Sequence, residues 1–281
     1  MDKRLLTIQD ISCVGQCSLT VALPVISACG IETAVLPSSV LSTHTAGFSG
    51  YTFHDLTDDM EPILAHWNKE AIKFDAFYTG YVSKAQIPVI LKIMEETANP
   101  GALRIVDPVM ADNGRLYTGF DTDFPAEMAR LCRGADVIMP NLTEAAFLLQ
   151  EDYRGNNLEH QDYDEEYIVG LLERLMGLGA KSVVLTGVSY DPKLLGCACF
   201  DGTKIDYYFR QRLDAQMHGT GDVFASSVAG ALCRGKSLID AASLGADFVV
   251  ESMKATLDDK SHWYGVKFEK ALPWLVRRLE A

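Results

Sequence analysis

The stretch HGTGDVFASSVAG, residues 218–230, places a carboxylate directly behind a glycine turn and follows it with small and apolar residues. Glycines, having no Cβ, let backbone N–H groups converge on one point. The N–H groups of a helix's first turn lack partners within the helix, and the helix dipole favours an anion there. The pattern therefore predicts a helix near 220–234 whose N-terminus forms an anion cradle from Gly219, Thr220 and Gly221. Asp222 sits within reach of whatever that cradle holds. It either complements the helix dipole or serves as general base toward a hydroxyl. Ala225, Ser226 and Ser227 suit close helix packing and carry no separate site signal.

Working outward, residues 196–213 read as a hairpin turning at Asp201 and Gly202, and two further helices are expected near 237–257 and 266–280. Upstream, apolar β-rich runs at 4–10, 32–41, 74–81, 102–110, 135–141 and 181–187 alternate with helical patterns near 18–30, 55–71, 84–98, 122–133, 143–150 and 163–178. The first helix carries a Ser18 cap, a Pro24 kink and a Gly30 stop. Near-continuous apolar strands are those buried on both faces. Their alternation with helices predicts an α/β fold with a mostly parallel central sheet and helices on both sides. With no repeat, low-complexity tract or Pro/Ser-rich linker, residues 1–281 read as a single domain. The acidic stretch at 158–167 reads as a solvated loop and helix start.

The composition is that of a soluble globular protein, with 48% hydrophobic and 22% charged residues in 281. The charge balance is 25 − 38 = −13, and there is no basic run. Such a surface repels nucleic acid and anionic lipid, so neither is expected as a partner. No apolar run reaches the ~18 residues of a membrane span, and no leader is read at the N-terminus, so a cytoplasmic location is expected. Seven cysteines without a CxxC pair read as buried reduced thiols, and Cys197 and Cys199 alternate on one face of a strand.

Polar residues repeatedly end the apolar strands: Asp10, Ser42 to Thr45, Tyr81, Asp107, Asn141 and Thr186. Ligands of open α/β sheets bind at that edge, although each residue alone also reads as a cap or turn former. A base beside an anion cradle suggests phosphoryl transfer to an alcohol. Neither a Walker motif nor the protein-kinase signature set is present. On so negative a surface, an anionic nucleotide calls for Mg2+. Asn141 and Glu144, three apart at a helix start, can face its phosphates, or can form a capping box.

Together LTIQD (6–10), LSTHT (41–45), DAFYTGY (75–81), RIVDPVM (104–110), MPNLTE (139–144) and HGTGD (218–222) resemble the ribokinase-like superfamily, and within it the vitamin B6 (pyridoxal/pyridoxine/pyridoxamine) kinases. The resemblance covers essentially the whole chain. It implies the ribokinase-like three-layer sandwich and ATP-dependent phosphorylation of a B6 vitamer's 5′-hydroxymethyl group in pyridoxal phosphate salvage. By the same resemblance Asp222 is similar to the catalytic base, and Gly219, Thr220 and Gly221 to the anion hole. Asp107, Asn141, Glu144 and Thr186 are similar to ATP-binding residues. Asp107, Asp112 and Glu144 look like the acidic groups near Mg2+, mainly through water. Asp10, His44, Thr45 and Tyr81 look like substrate-binding residues. MgATP as co-substrate, a response to K+ and a homodimer are likewise implied.

One departure stands out. Where the family commonly has serine, this chain has Asp10. A carboxylate there can pair with a protonated ring nitrogen or an ammonium group, which favours the pyridinium form or pyridoxamine over pyridoxal. The loop SCVGQCS (12–18) also lacks the family's usual glycine-rich pattern. The rival within the resemblance is hydroxymethylpyrimidine kinase of thiamine synthesis, where cysteine often stands in place of Asp222. A sugar kinase fits less well, for want of an inserted strand-rich lid. A non-catalytic, regulatory pyridoxal phosphate-binding protein on the same fold is the reading from another class.

Overall fold

The computed structural model describes residues 3–154 and 163–280. In chain order the elements are β1 (Arg4–Ser12), α1 (Leu19–Ala28), β2 (Glu32–Leu41), β3 (Phe53–Asp55), α2 (Thr57–Lys69), β4 (Phe74–Thr79), α3 (Ile87–Glu96) and β5 (Ala98–Val106). They continue with β6 (Ala111–Asp112), β7 (Arg115–Leu116), α4 (Phe124–Cys132), β8 (Val137–Ile138), α5 (Leu142–Leu149) and α6 (Glu165–Gly177). The chain ends with β9 (Val183–Val188), β10 (Leu194–Phe200), β11 (Ile205–Gln211), α7 (Thr220–Cys233), α8 (Leu238–Lys254) and α9 (Phe268–Glu280). Among the described residues nine strands form one sheet in the order β11-β10-β9-β8-β5-β4-β1-β2-β3, and β6 and β7 pair separately. The sheet is mostly parallel; β3 and the β10–β11 hairpin run antiparallel to their neighbours. This is the expected α/β architecture.

The chain divides into two compact units, one built from Met1–Leu103 with Leu213–Ala281, the other from Arg104–Arg212. In the first, β1 lies between β2 and β4, with Leu5 opposite Thr33 and Ala76. Leu5, Leu6 and Ile8 are fully buried, as a parallel strand covered on both faces requires. Parallel neighbours need a crossover, and α1 supplies the one between β1 and β2. Helix α7 packs on α1 and α8. The small residues after HGTGD make that approach possible: a Cβ on Gly230 would stand 2.5 Å from Cys29 Sγ of α1's end. Ser226 and Ser227 are fully buried, and Ser227 satisfies its hydroxyl on the Val223 carbonyl at 2.6 Å.

In the second unit β8 and β9 run parallel and the hairpin β10–β11 closes the series. Cys197 and Cys199 are buried there on one face of β10. The buried-thiol expectation holds for five cysteines; Cys13 is exposed and Cys17 half-buried. The expected strand at 135–141 is regular only at Val137 and Ile138, although ladder bonds flank it from Lys181 N to the Ala135 carbonyl and from Thr186 N to the Pro140 carbonyl; Pro140, lacking an N–H, breaks the run. Strands β3, β6 and β7 were too short to leave a periodic signal. Asp164 caps α6 through the Tyr167 N–H at 2.9 Å, and residues 158–162 of the acidic stretch lie outside the described residues.

Candidate active site

In the first unit the C-terminal end of β1 and the start of α7 meet at one place. Helix α7 begins at Thr220, after Gly219 in the left-handed region (φ 77°). A Cβ at Gly219 would fall 1.7 Å from the Gln16 carbonyl oxygen, so the turn and the loop after β1 touch backbone to backbone. Gly221 has open space around its Cβ position and no positive φ. The two glycines thus differ: the first is required by the fold, and the second only leaves room. The N–H groups of α7's first three residues have no intrahelical acceptor.

Asp222, in that first turn, is partly accessible. Burial pushes its carboxyl up to about 7, with the nearby Asp10 charge adding to the rise and the N–H groups of Ser18 and Asp222 itself pulling back. A carboxyl poised near neutrality suits a general base. Asp10 is 5% exposed and accepts from Ser12 Oγ at 3.0 Å. Burial raises its pKa too, against the Ser18 and Ser12 hydroxyls. Tyr81, just past β4, is pushed up to about 12 by burial first and by the Asp10 charge second. Ser18 departs from the expected cap. It occupies the N-cap position of α1 at φ 51° and ψ −134° and makes no side-chain cap hydrogen bond.

His44 is buried, 6% exposed, while Thr45 beside it is exposed. His44 Nδ1 accepts from the Ala46 N–H at 3.2 Å and Nε2 lies 2.8 Å from the Tyr264 carbonyl, the pattern of a neutral imidazole donating through Nε2. Its ring stands 5.5 Å from His218 and 5.0 Å from Phe48, and Phe48 meets Trp263 at 4.6 Å. This aromatic wall escaped the sequence reading, since Phe48, Trp263 and Tyr264 sit in segments without periodicity. Gly15 is tied to it: a Cβ there would lie 2.1 Å from His44 Cδ2. The loop of residues 12–18 is therefore fixed on one side by His44 and on the other by the Gly219 turn.

The second unit gathers the remaining candidates. Asn141 caps α5, its Oδ1 accepting from Glu144 N at 2.9 Å while Glu144 Oε2 accepts from Asn141 N at 2.9 Å. Both legs of the capping box are thus present. Asn141 Nδ2 also donates to the Ala111 carbonyl at 2.9 Å, and Glu144 Oε1 accepts from Met110 N at 3.1 Å. The pair clamps the segment after β5. Glu144 is 4% exposed, and burial raises its pKa well above the ordinary carboxylate range despite those N–H donors. Asp107, 7% exposed, follows β5; Asp112 is exposed at the end of β6 and accepts from Asn113. Thr186 on β9 bridges to Asn141. The structure thus brings Asn141, Glu144 and Thr186 together. An Asn141→Ala variant loses a cap and a clamp at once, so it will be less stable by about 1–2 kcal/mol; thermal denaturation without nucleotide measures it, and an unchanged midpoint would deny the clamp.

The profile of the phosphomethylpyrimidine kinase family matches residues 24–266. The fold is similar to pyridoxal kinase from Lactobacillus plantarum, with a TM-score of 0.89 and 34% identity over 99% of this chain and 98% of that one. A Bacteroides thetaiotaomicron protein, assigned as a phosphomethylpyrimidine kinase and crystallised with pyridoxal, gives a TM-score of 0.90 and 36% identity over 98% and 96%. In sequence, the pyridoxal kinase of Dictyostelium discoideum is 25% identical over 82% of this chain and 78% of its own length.

Proposed function

The chain belongs to the phosphomethylpyrimidine kinase family, and on that premise we propose that it transfers the γ-phosphoryl group of ATP to the 5′-hydroxymethyl group of a B6 vitamer. The observation that carries the reading is Asp222: a carboxyl held near neutrality in the first turn of α7, directly behind the Gly219 turn. Asp222 takes the hydroxyl proton as the oxygen approaches the phosphorus. The free N–H groups of α7's first turn offset the charge that grows on the moving group. Asp10, His44, Thr45 and Tyr81 form the vitamer's side of the site. The preference for a B6 vitamer over hydroxymethylpyrimidine is supported by similarity to a pyridoxal kinase and to a protein crystallised with pyridoxal, each at 34% identity or more.

Asp107, Asn141, Glu144 and Thr186 belong to the nucleotide in this proposal. Among the described residues no three His, Cys, Asp or Glu side chains gather to hold a metal ion directly; in this proposal Mg2+ would ride on the nucleotide's phosphates, reached through water by Asp107, Asp112 and Glu144, both of whose oxygens already accept backbone N–H groups. The ion supplies charge neutralisation of the phosphates. A single kinase domain over 1–281, a homodimer, a response to K+ and a cytoplasmic location are part of the same proposal; among the described residues no helix is long and apolar enough to cross a membrane.

ATP turnover on pyridoxal, pyridoxine, pyridoxamine and hydroxymethylpyrimidine, side by side with Mg2+ and with and without K+, tests the proposal. Turnover on a B6 vitamer is expected. Turnover on the pyrimidine alone would move the protein to thiamine synthesis. Tight vitamer binding with no turnover would make it a binding protein.

A further inference from the structure

Removing a proton from an alcohol needs one carboxylate, and the first unit places two together. Asp10 lies where the register of β1 against β2 slips: Gln9 pairs with Pro37 and Ile11 with Val40, so Ser38 and Ser39 both oppose Asp10. Such bulges re-aim a side chain next to active sites. Asp10, near the end of β1, accepts from Ser12 Oγ at 3.0 Å, and the loop that follows it touches the turn before Asp222 backbone to backbone, at Gln16 and Gly219. Ser18, just before α1, holds a strained φ of 51° and ψ of −134°, and its hydroxyl caps nothing in α1.

The pair has no fixed counter-charge. Among the described residues neither aspartate makes an ion pair with lysine or arginine. The titratable groups around it are Cys17 on the loop before α1, Tyr81 after β4 and His44 on the loop after β2, with His218 beside His44. Cys17 and Tyr81 are neutral or negative, and His44 has the hydrogen bonds of a neutral ring. No cluster of three His, Cys, Asp or Glu among the described residues could hold a metal ion. A buried and a half-buried carboxylate with no cationic partner favour holding a proton between them or meeting a cation.

Resting on the B6 reading, we propose that the acceptor pocket takes its substrate as a cation, with the charged nitrogen of the vitamer paired to Asp10, and that this pairing keeps Asp222 ionised as the base. The cation replaces the proton of the carboxylate pair, which leaves to solvent. The nitrogen keeps its own proton throughout. Only the hydroxyl proton then passes to Asp222 as the O–P bond forms and the bond to the ADP oxygen breaks. Asp10 is thereby a specificity residue.

The ultraviolet bands of a 3-hydroxypyridine distinguish ring-protonated from ring-neutral forms, so the wild-type protein itself carries the first test. Pyridoxine bound without ATP, at a pH high enough that the free vitamer is ring-neutral, is expected to show the ring-protonated bands. The second test is competition between pyridoxine and its benzene analogue, which has CH in place of the ring nitrogen. Wild type should prefer pyridoxine by about 30-fold, the size of a charge-assisted hydrogen bond, and Asp10→Asn should reduce that to a few-fold. Pyridoxamine tested beside pyridoxine shows whether its ammonium group takes the place of the ring nitrogen. Ring-neutral bands for bound pyridoxine, or a preference unchanged in Asp10→Asn, would overturn the inference and leave the kinase reading standing. Absence of any vitamer binding would remove both.

Discussion

Asp222→Asn will lower kcat by about 10²–10⁴-fold, the range for loss of a general base, while the protein folds and binds ATP. The same change will raise the protein's stability above neutral pH. The folded carboxyl sits near 7 against an ordinary value of 3.8, so between those values the native state holds a proton that the unfolded state releases. That contribution is fully present below about pH 4 and is lost as pH rises through about 7. The wild-type melting temperature should therefore fall between pH 5 and pH 8, by the equivalent of about 2–4 kcal/mol at most, and the variant should lack that component. Thermal melts at the two pH values, paired with steady-state kinetics, decide it. A variant with near-wild-type kcat removes Asp222 from the role of base. A variant equally destabilised at both pH values removes the account of its protonation.

Gly219→Ala is the second large effect. Its φ of 77° is already costly for a residue with a Cβ, and the new atom would meet the Gln16 carbonyl oxygen at 1.7 Å. Backbone cannot swing aside as a side-chain end can. Gln16 is further held by Glu269, through Nε2 at 2.8 Å, and by the close approach of Gly265. The turn or the loop must move, and the cradle loses its geometry. A loss of stability of about 2–4 kcal/mol and a fall in kcat of at least about 100-fold are expected. Gly221→Ala separates sterics from mere glycine content. It has no positive φ and open space, so its melting temperature should equal or exceed that of wild type. Equal destabilisation by the two substitutions would refute the distinction.

The sequence reading followed the physics of periodicity. Long apolar strands and capped helices announced themselves, and so did the hairpin at Asp201 and Gly202. Elements of two or three residues, such as β6, β7 and β8, carry too few positions for a period to show. The strand-end polars were visible because each interrupts an apolar run. Ser18 was visible as well, but its sequence context fits a helix cap; only the structure shows a left-handed backbone there and a hydroxyl that caps nothing. The wall of Phe48, Trp263 and Tyr264 joins segments about 200 residues apart, and only tertiary structure could assemble it. For Asn141 and Glu144 the spacing admitted both a cap and a nucleotide contact. The capping box is realised, and the nucleotide role rests with the proposal.

The first unit is discontinuous in the chain: Met1–Leu103 waits for Leu213–Ala281, while the second unit is one uninterrupted segment. Synthesis on the ribosome therefore meets the two in different order. At about 5–20 residues per second, the 109 residues from Arg104 to Arg212 take on the order of 10 s to emerge. During that interval β1, β2 and β4 are made but α7 is not, and the apolar face of α1 that α7 covers stays open. The nascent chain thus has a window in which its N-terminal third exposes sticky surface, and holdase chaperones should crosslink there. The half bearing Asp222 is the last to close, so a truncated translation product carries no base and no anion cradle.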